Sequence, residues 1–210
     1  MLTPDLLLAG YRAGVFPMAG LDGEVGWYAP DPRAVLPLDG LRVSRSLRQA
    51  VRRGPFRVVV DRDFEATMRA CAAPAPGREE TWISEGLVEA YTALHRRGYA
   101  HSVECWAGGA FAGGLYGVAL GGAFFGESMV TKVRDASKVA LVHLVERLRA
   151  GGVRLLDTQM STPHLARLGV VEVPREAFER ALAVALASPA DWSAFDRHHR
   201  QGSGVDPSTP

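Results

Sequence analysis

The chain has 210 residues, 47% of them hydrophobic and 22% charged, enough for one large domain or a main domain with a small companion. A formal net charge of +1 excludes a global basic field of the kind that draws nucleic acid to a whole surface. Cys71 and Cys105 lack metal-ligand spacing and read as reduced, buried thiols, and no apolar run approaches the roughly 18 residues of a membrane span, so a cytoplasmic chain without membrane contact is expected.

Thr3-Pro4-Asp5 reads as a helix start: Thr as N-cap, Pro at the first helical position, an acid in the first turn. That helix carries Leu6, Leu7, Ala9 and Tyr11 and ends near Gly14. Phe16-Pro17-Met18 then leads through a glycine-rich loop to Gly26-Trp27-Tyr28-Ala29-Pro30-Asp31-Pro32-Arg33. Adjacent aromatics among prolines make a stiff platform, either a proline-braced packing loop or a stacking surface for a planar ligand. Ser44 caps a helix running to Arg53 and stopped by Gly54-Pro55, with Arg45, Arg48 and Arg52 on one face. Such a face is merely solvated unless the fold aims it at bound RNA, where it becomes a phosphate footprint. Phe56 to Val60 reads as a strand, Asp63 to Ala72 as a helix, and the Pro/Gly-rich stretch 73–80 as a hinge.

Beyond the hinge the pattern is more regular. Ser84 caps a helix ended by Gly98, and Ser102 to Trp106 is a strand turned at Gly108-Gly109. The run from Gly113 to Met129 reads as two apolar strands joined at Gly121-Gly122, a dipeptide suited to a tight hairpin. Glu127 closes the second strand directly after Phe124-Phe125-Gly126; a carboxylate beside buried aromatics needs either a partner or access to water. A long helix from Asp135 or Ala136 to Ala150, a strand from Val153 to Asp157, a brief helix from Thr162-Pro163, a strand over 170–173 and a helix over 176–186 follow. Asp157 and Gln159, two apart at a strand end, share a face. The order of elements describes an α+β layer with one mixed sheet flanked by helices, and it suits the acyltransferase fold of the GNAT (N-acetyltransferase) type. Residues 1–72 are expected to form a small N-terminal α/β domain, residues 73–197 an acyltransferase-like catalytic domain, and residues 198–210 a disordered tail.

Taken together, these stretches resemble the bacterial leucyl/phenylalanyl-tRNA–protein transferase family. The resemblance is carried by Tyr-Arg-Ala-Gly-Val-Phe-Pro-Met (11–18), Trp-Tyr-Ala-Pro-Asp-Pro-Arg (27–33), Thr-Trp-Ile (81–83) and Ala-Tyr-x-x-Leu-His-x-x-Gly-x-Ala-His-Ser-Val-Glu (90–104). It continues through Phe-Phe-Gly-Glu-Ser-Met, Asp-Ala-Ser-Lys (135–138) and Asp-Thr-Gln (157–159), colinear to about residue 185. The chain departs from the family at Asp135, usually Asn, at Thr158, usually Cys, at Val130, usually Phe, and at Leu144, where an aromatic residue can stand.

The resemblance implies transfer of leucine or phenylalanine from charged tRNA to proteins that begin with Arg or Lys, marking them for degradation, by a monomer that needs neither cofactor nor metal; a side-chain pocket without polar partners admits methionine as well. It implies that Asp157 orients Gln159, which contacts the attacking amine, and that Glu127 holds an ammonium group. Trp27 and Trp82 would stack on the terminal adenosine, and Leu115, Phe124, Leu141 and Leu144 would line the pocket for the transferred side chain. Arg45, Arg48 and Arg52 would follow the tRNA backbone. Two other functions suit parts of the pattern. An acyl-CoA-dependent N-acetyltransferase would need a glycine-rich pyrophosphate turn where the sequence instead has Lys132-Val-Arg-Asp-Ala-Ser-Lys. A non-catalytic tRNA-binding module would leave Glu127, Asp157 and Gln159 without a purpose.

Overall fold

The computed structural model describes residues 2–20, 22–74, 80–193 and 195. Helix α1 (Pro4–Arg12) starts where Thr3 accepts the Leu6 N–H on its hydroxyl. It is followed by β1 (Phe16–Ala19) and β2 (Val25–Tyr28), which pair with each other, and by β3 (Arg33–Val35). Next come α2 (Arg45–Arg53), β4 (Arg57–Val60) and α3 (Phe64–Ala72), the two helices capped by Ser44 and Asp63. Then come α4 (Glu85–Arg96) and the strands β5 (Ala100–Ala107), β6 (Ala110–Leu120) and β7 (Ala123–Thr131). The chain goes on through α5 (Ala136–Ala150), β8 (Leu155–Gln159), α6 (Pro163–Arg167), β9 (Val171–Val173) and α7 (Arg175–Leu186). Among the described residues no helix is long and apolar enough to cross a membrane.

The main sheet is mixed, seven-stranded, and ordered β4-β5-β6-β7-β8-β3-β9. The turn at Gly121 needs a positive φ (+57°), and a Cβ there would lie 2.6 Å from the Leu186 carbonyl oxygen, so glycine is required twice over. Alternation along the strands sends Leu115, Phe124 and Leu156 to one face, under α2 and α5, and Tyr116, Phe125 and Leu155 to the other, under α1, α3, α4 and α7. Both faces are covered, which is why β6 is apolar without interruption and buried from Ala112 to Leu120.

Two features lie outside the sequence reading. The stretch from Phe16 to Tyr28, read as a loop, is a hairpin whose register sets Phe16 opposite Tyr28; its glycines hid the alternation. Arg33–Val35, preceded by two prolines, is a strand pairing with both β8 and β9. Strands β3 and β4, from the first 72 residues, therefore share one sheet with β5 to β9. The strand expected over 153–157 runs two residues later, and this puts Asp157 mid-strand and Gln159 at its end. Of the expected hinge, residues 75–79, and the whole expected tail 198–210 lie outside the described residues.

Candidate active site

Parallel pairing of β7 with β8 covers Ala123–Phe125 against Leu155–Asp157, and beyond those residues the strands part. Glu127 and Gln159 sit just past the last paired positions, at the carboxyl ends of two parallel strands, where open sheets commonly place their crevices. The β6–β7 ladder also shifts register there: Gly117 faces Gly126 and Tyr116 faces Ser128, which leaves Glu127 as the extra residue of a bulge. The bulge reverses the alternation. Phe125 and Glu127 turn toward α1 and α4, whereas Met129 packs on the α5 side.

Around Glu127 the side chains form a polar chain within an apolar shell. Tyr11 from α1 donates its hydroxyl to Glu127 Oε1 at 2.8 Å, Gln159 Nε2 donates to the same oxygen at 2.8 Å, and Tyr91 from α4 donates to Oε2 at 3.3 Å. The two phenol oxygens also contact each other. The carboxyl and the two phenols thus share a small set of protons inside an apolar shell. Burial pushes the Glu127 carboxyl up to about 8; the Asp157 charge adds to this, while the tyrosine hydrogen bonds and Arg33 oppose it. Burial, with Glu127 second, raises both phenols well above their ordinary range.

The other end of the chain is an ion pair. Arg33 Nε and Nη2 grip Asp157 Oδ1 and Oδ2 at 2.9 and 2.6 Å, both residues are at most 1% exposed, and Arg33 Nη1 donates to the Gly14 carbonyl. The guanidinium lies between the rings of Phe16 and Phe178, 4.8 and 4.4 Å from their centroids. Asp157 Oδ1 also accepts the backbone N–H of Gln159 at 2.9 Å, which helps hold Gln159 at a φ of +58°, a region costly for a side chain of this kind. With Nε2 committed to Glu127, the carbonyl end of the Gln159 amide faces the other way.

Glu127 and Gln159 open into a cavity of about 170 Å3 whose further walls include Phe16, Met18, Trp82, Thr162 and Leu165. Of the sequence candidates, the fold brings together Glu127, Asp157, Gln159 and Trp82. Trp27 is elsewhere: its ring lies on Gly10 of α1, so close that a Cβ there would be 2.1 Å from Trp27 Cζ3. Met18 occupies the cavity wall instead. Leu115, Phe124, Leu141 and Leu144 are all buried in the layer between the sheet and α5 and do not line this cavity. Arg45, Arg48 and Arg52 are exposed along α2, where they edge a groove of about 320 Å3 with Gln49 and Arg53. Sequence reasoning missed Tyr11, Tyr91 and Arg33 as members of the site. A usable signal was there: a tyrosine on the buried stripe of each helix needs a partner for its hydroxyl, and a buried acid needs a cation.

The family model described as leucyl/phenylalanyl-tRNA protein transferase matches residues 35–183, and the model of that family's N-terminal domain matches residues 1–31. The chain is 59% identical over 192 residues to the leucyl/phenylalanyl-tRNA–protein transferase of Salinibacter ruber, covering 91% of this chain and 83% of the relative. It is 60% identical over 186 residues to that of Rubrobacter xylanophilus, covering 88% of this chain and 95% of the relative. Among solved structures, it is similar to the C-terminal domain of a putative lysylphosphatidylglycerol synthetase from Agrobacterium fabrum, at a TM-score of 0.43 and 11% identity, over 86% of this chain and 62% of that one. The tandem family match, on an α+β fold with a polar cluster in a cavity, defines an enzyme of the transferase class. The chain belongs to the leucyl/phenylalanyl-tRNA protein transferase family.

Proposed function

We propose that this protein, acting as a monomer in the cytoplasm, moves leucine or phenylalanine from the 3′ end of charged tRNA to the amino terminus of proteins that begin with Arg or Lys. The observation that carries this reading is the bridge made by Gln159. Its backbone is held by the Asp157–Arg33 pair, its amide nitrogen by Glu127, and it faces the cavity that Trp82 borders. We also read the sheet as GNAT-type, supported by a parallel β7–β8 pair that parts at the site and is connected through α5.

The donor is an activated ester, so the enzyme has to position reactants and manage protons. A planar base stacks on Trp82, with Met18 on the same wall. The Gln159 carbonyl accepts a hydrogen bond from the attacking amine and aims its lone pair at the ester; the new C–N bond forms as the bond to the ribose oxygen breaks, the proton lost by the amine passes to that oxygen, and the deacylated tRNA leaves. That amine has a reference pKa of roughly 7.7–8, so part of it arrives protonated and must shed a proton. Glu127, held near neutrality, gives up its own proton when the ammonium of the donor residue binds beside it. We assign the transferred side chain to the apolar layer between sheet and α5, which holds Leu115, Phe124, Leu141 and Leu144 behind the point where β7 and β8 part. Arg45, Arg48 and Arg52 follow the phosphates of the acceptor stem.

The test is transfer of labelled leucine from leucyl-tRNA to an Arg-initiated peptide, with acetyl-CoA as the competing donor. Labelled peptide from the tRNA alone supports the reading, and acetylated peptide from acetyl-CoA overturns it.

A further inference from the structure

A second cleft, of about 520 Å3, opens at the head of α5. Met129 and Thr131 form its floor on the face of β7 opposite Glu127, and its polar wall is Arg134, Asp135, Ser137, Lys138 and His164. The cleft adjoins the Trp82 cavity through α6: Thr162 and Leu165 line the cavity, and His164, between them, lines the cleft. Neighbouring Cα atoms are about 3.8 Å apart, so the two spaces lie within reach of one short oligonucleotide end.

The charges decide what the cleft takes. Lys132 and Lys138 are the chain's only lysines, and Lys138 is in the cleft beside Arg134. His164 is held below its ordinary range, first by burial and then by Lys138 and Arg167, so cations surround the imidazole. One acid opposes them: Asp135 accepts from Lys138 Nζ at 3.0 Å and lies 3.6 Å from Arg134 Nε, without capping the helix it precedes. A peptide with a cationic amino terminus is repelled by such a wall; a phosphodiester, with its charge-assisted acceptors, is drawn to it. Helix α2 packs on α5, so the arginine groove and this cleft flank the same helix.

We propose that the cleft formed by Arg134, Lys138 and His164 binds the 3′-terminal phosphodiester of the donor RNA, fixing the adenosine that bears the ester. Asp135 weakens this grip by holding Lys138. The inference rests on the proposed reaction. It concerns a different part of the donor from the arginine groove of α2.

The experiment compares two minimal donors, leucyl-adenosine, which has no phosphate, and leucyl-cytidylyl-adenosine, which has one. The wild-type protein should use the dinucleotide with the lower KM, and the double variant Arg134→Ala/Lys138→Ala should raise that KM roughly tenfold, as loss of charge-assisted bonds does, with the leucyl-adenosine KM unchanged. Asp135→Asn should lower the KM for the dinucleotide alone. A dinucleotide preference that survives in the double variant overturns the proposal, as does an equal loss with both donors. Leucyl-tRNA serves as the control donor: no transfer from it overturns the reaction itself, whereas transfer from it without any use of the dinucleotide in preference to leucyl-adenosine overturns the cleft's role alone.

Discussion

Replacing Glu127 by Gln should remove a pH dependence of stability. The unfolded chain releases this proton near 4.5 and the folded protein near about 8, so between those values the folded state holds more protons and stability falls as pH rises. From pH 6 to pH 8 the linkage amounts to about 2 kcal/mol, or about 1 once water reaching the carboxyl through its cavity is allowed for. The amide introduced by Glu127→Gln has the shape of the protonated acid: its carbonyl accepts from Tyr11 and Gln159, and its NH2 donates to Tyr91, which passes its proton to Tyr11. Urea titrations at the two pH values should show wild-type stability falling by that amount while Glu127→Gln holds level and becomes the more stable at pH 8. An equal fall in both proteins, or none in either, refutes the buried-acid reading.

Trp82→Ala should weaken a non-hydrolysable aminoacyl-adenosine by about 1–3 kcal/mol, the usual cost of a lost stacking partner, whereas Trp27→Ala should leave that affinity unchanged in the same calorimetric titration. Arg33→Met should destabilise the fold by about 3–5 kcal/mol in urea because Asp157 is left buried without its cation, and Arg33→Met/Asp157→Leu should recover most of the loss. Arg45→Glu/Arg48→Glu should raise the KM for leucyl-tRNA and flatten its log–log salt slope by about 0.9 per lost phosphate contact, without changing transfer from leucyl-adenosine.

What the sequence revealed follows the range of the interactions involved. Thr3, Ser44, Asp63 and Thr162 cap their helices by bonds to residues three away, so a window of a few residues suffices to place α1, α2, α3 and α6. The Gly121 turn is equally local. The Arg33–Asp157 pair spans 124 positions, and Tyr11 reaches Glu127 across 116; no periodicity carries such information. The bulge at Glu127 was hidden for another reason. An extra residue in one strand shows only against its partner, so reading the run as an apolar strand closed by Glu127 gave no sign that Glu127 and Met129 face opposite sides. Trp27 depends on pairing as well: aromatic content suggested a platform, while the β1–β2 hairpin lays Trp27 on α1 and leaves Met18 facing the cavity.

The central claim is that Gln159, steadied by Asp157 and Glu127, presents the amine to the ester. Its most direct test is the single-turnover rate of leucine transfer to an Arg-initiated peptide, at saturating donor and acceptor, for the wild-type protein and Gln159→Ala. The account predicts a fall of about 100-fold or more, the scale of a reactant left out of position, with donor affinity retained through Trp82. Transfer at the wild-type rate by folded Gln159→Ala contradicts it.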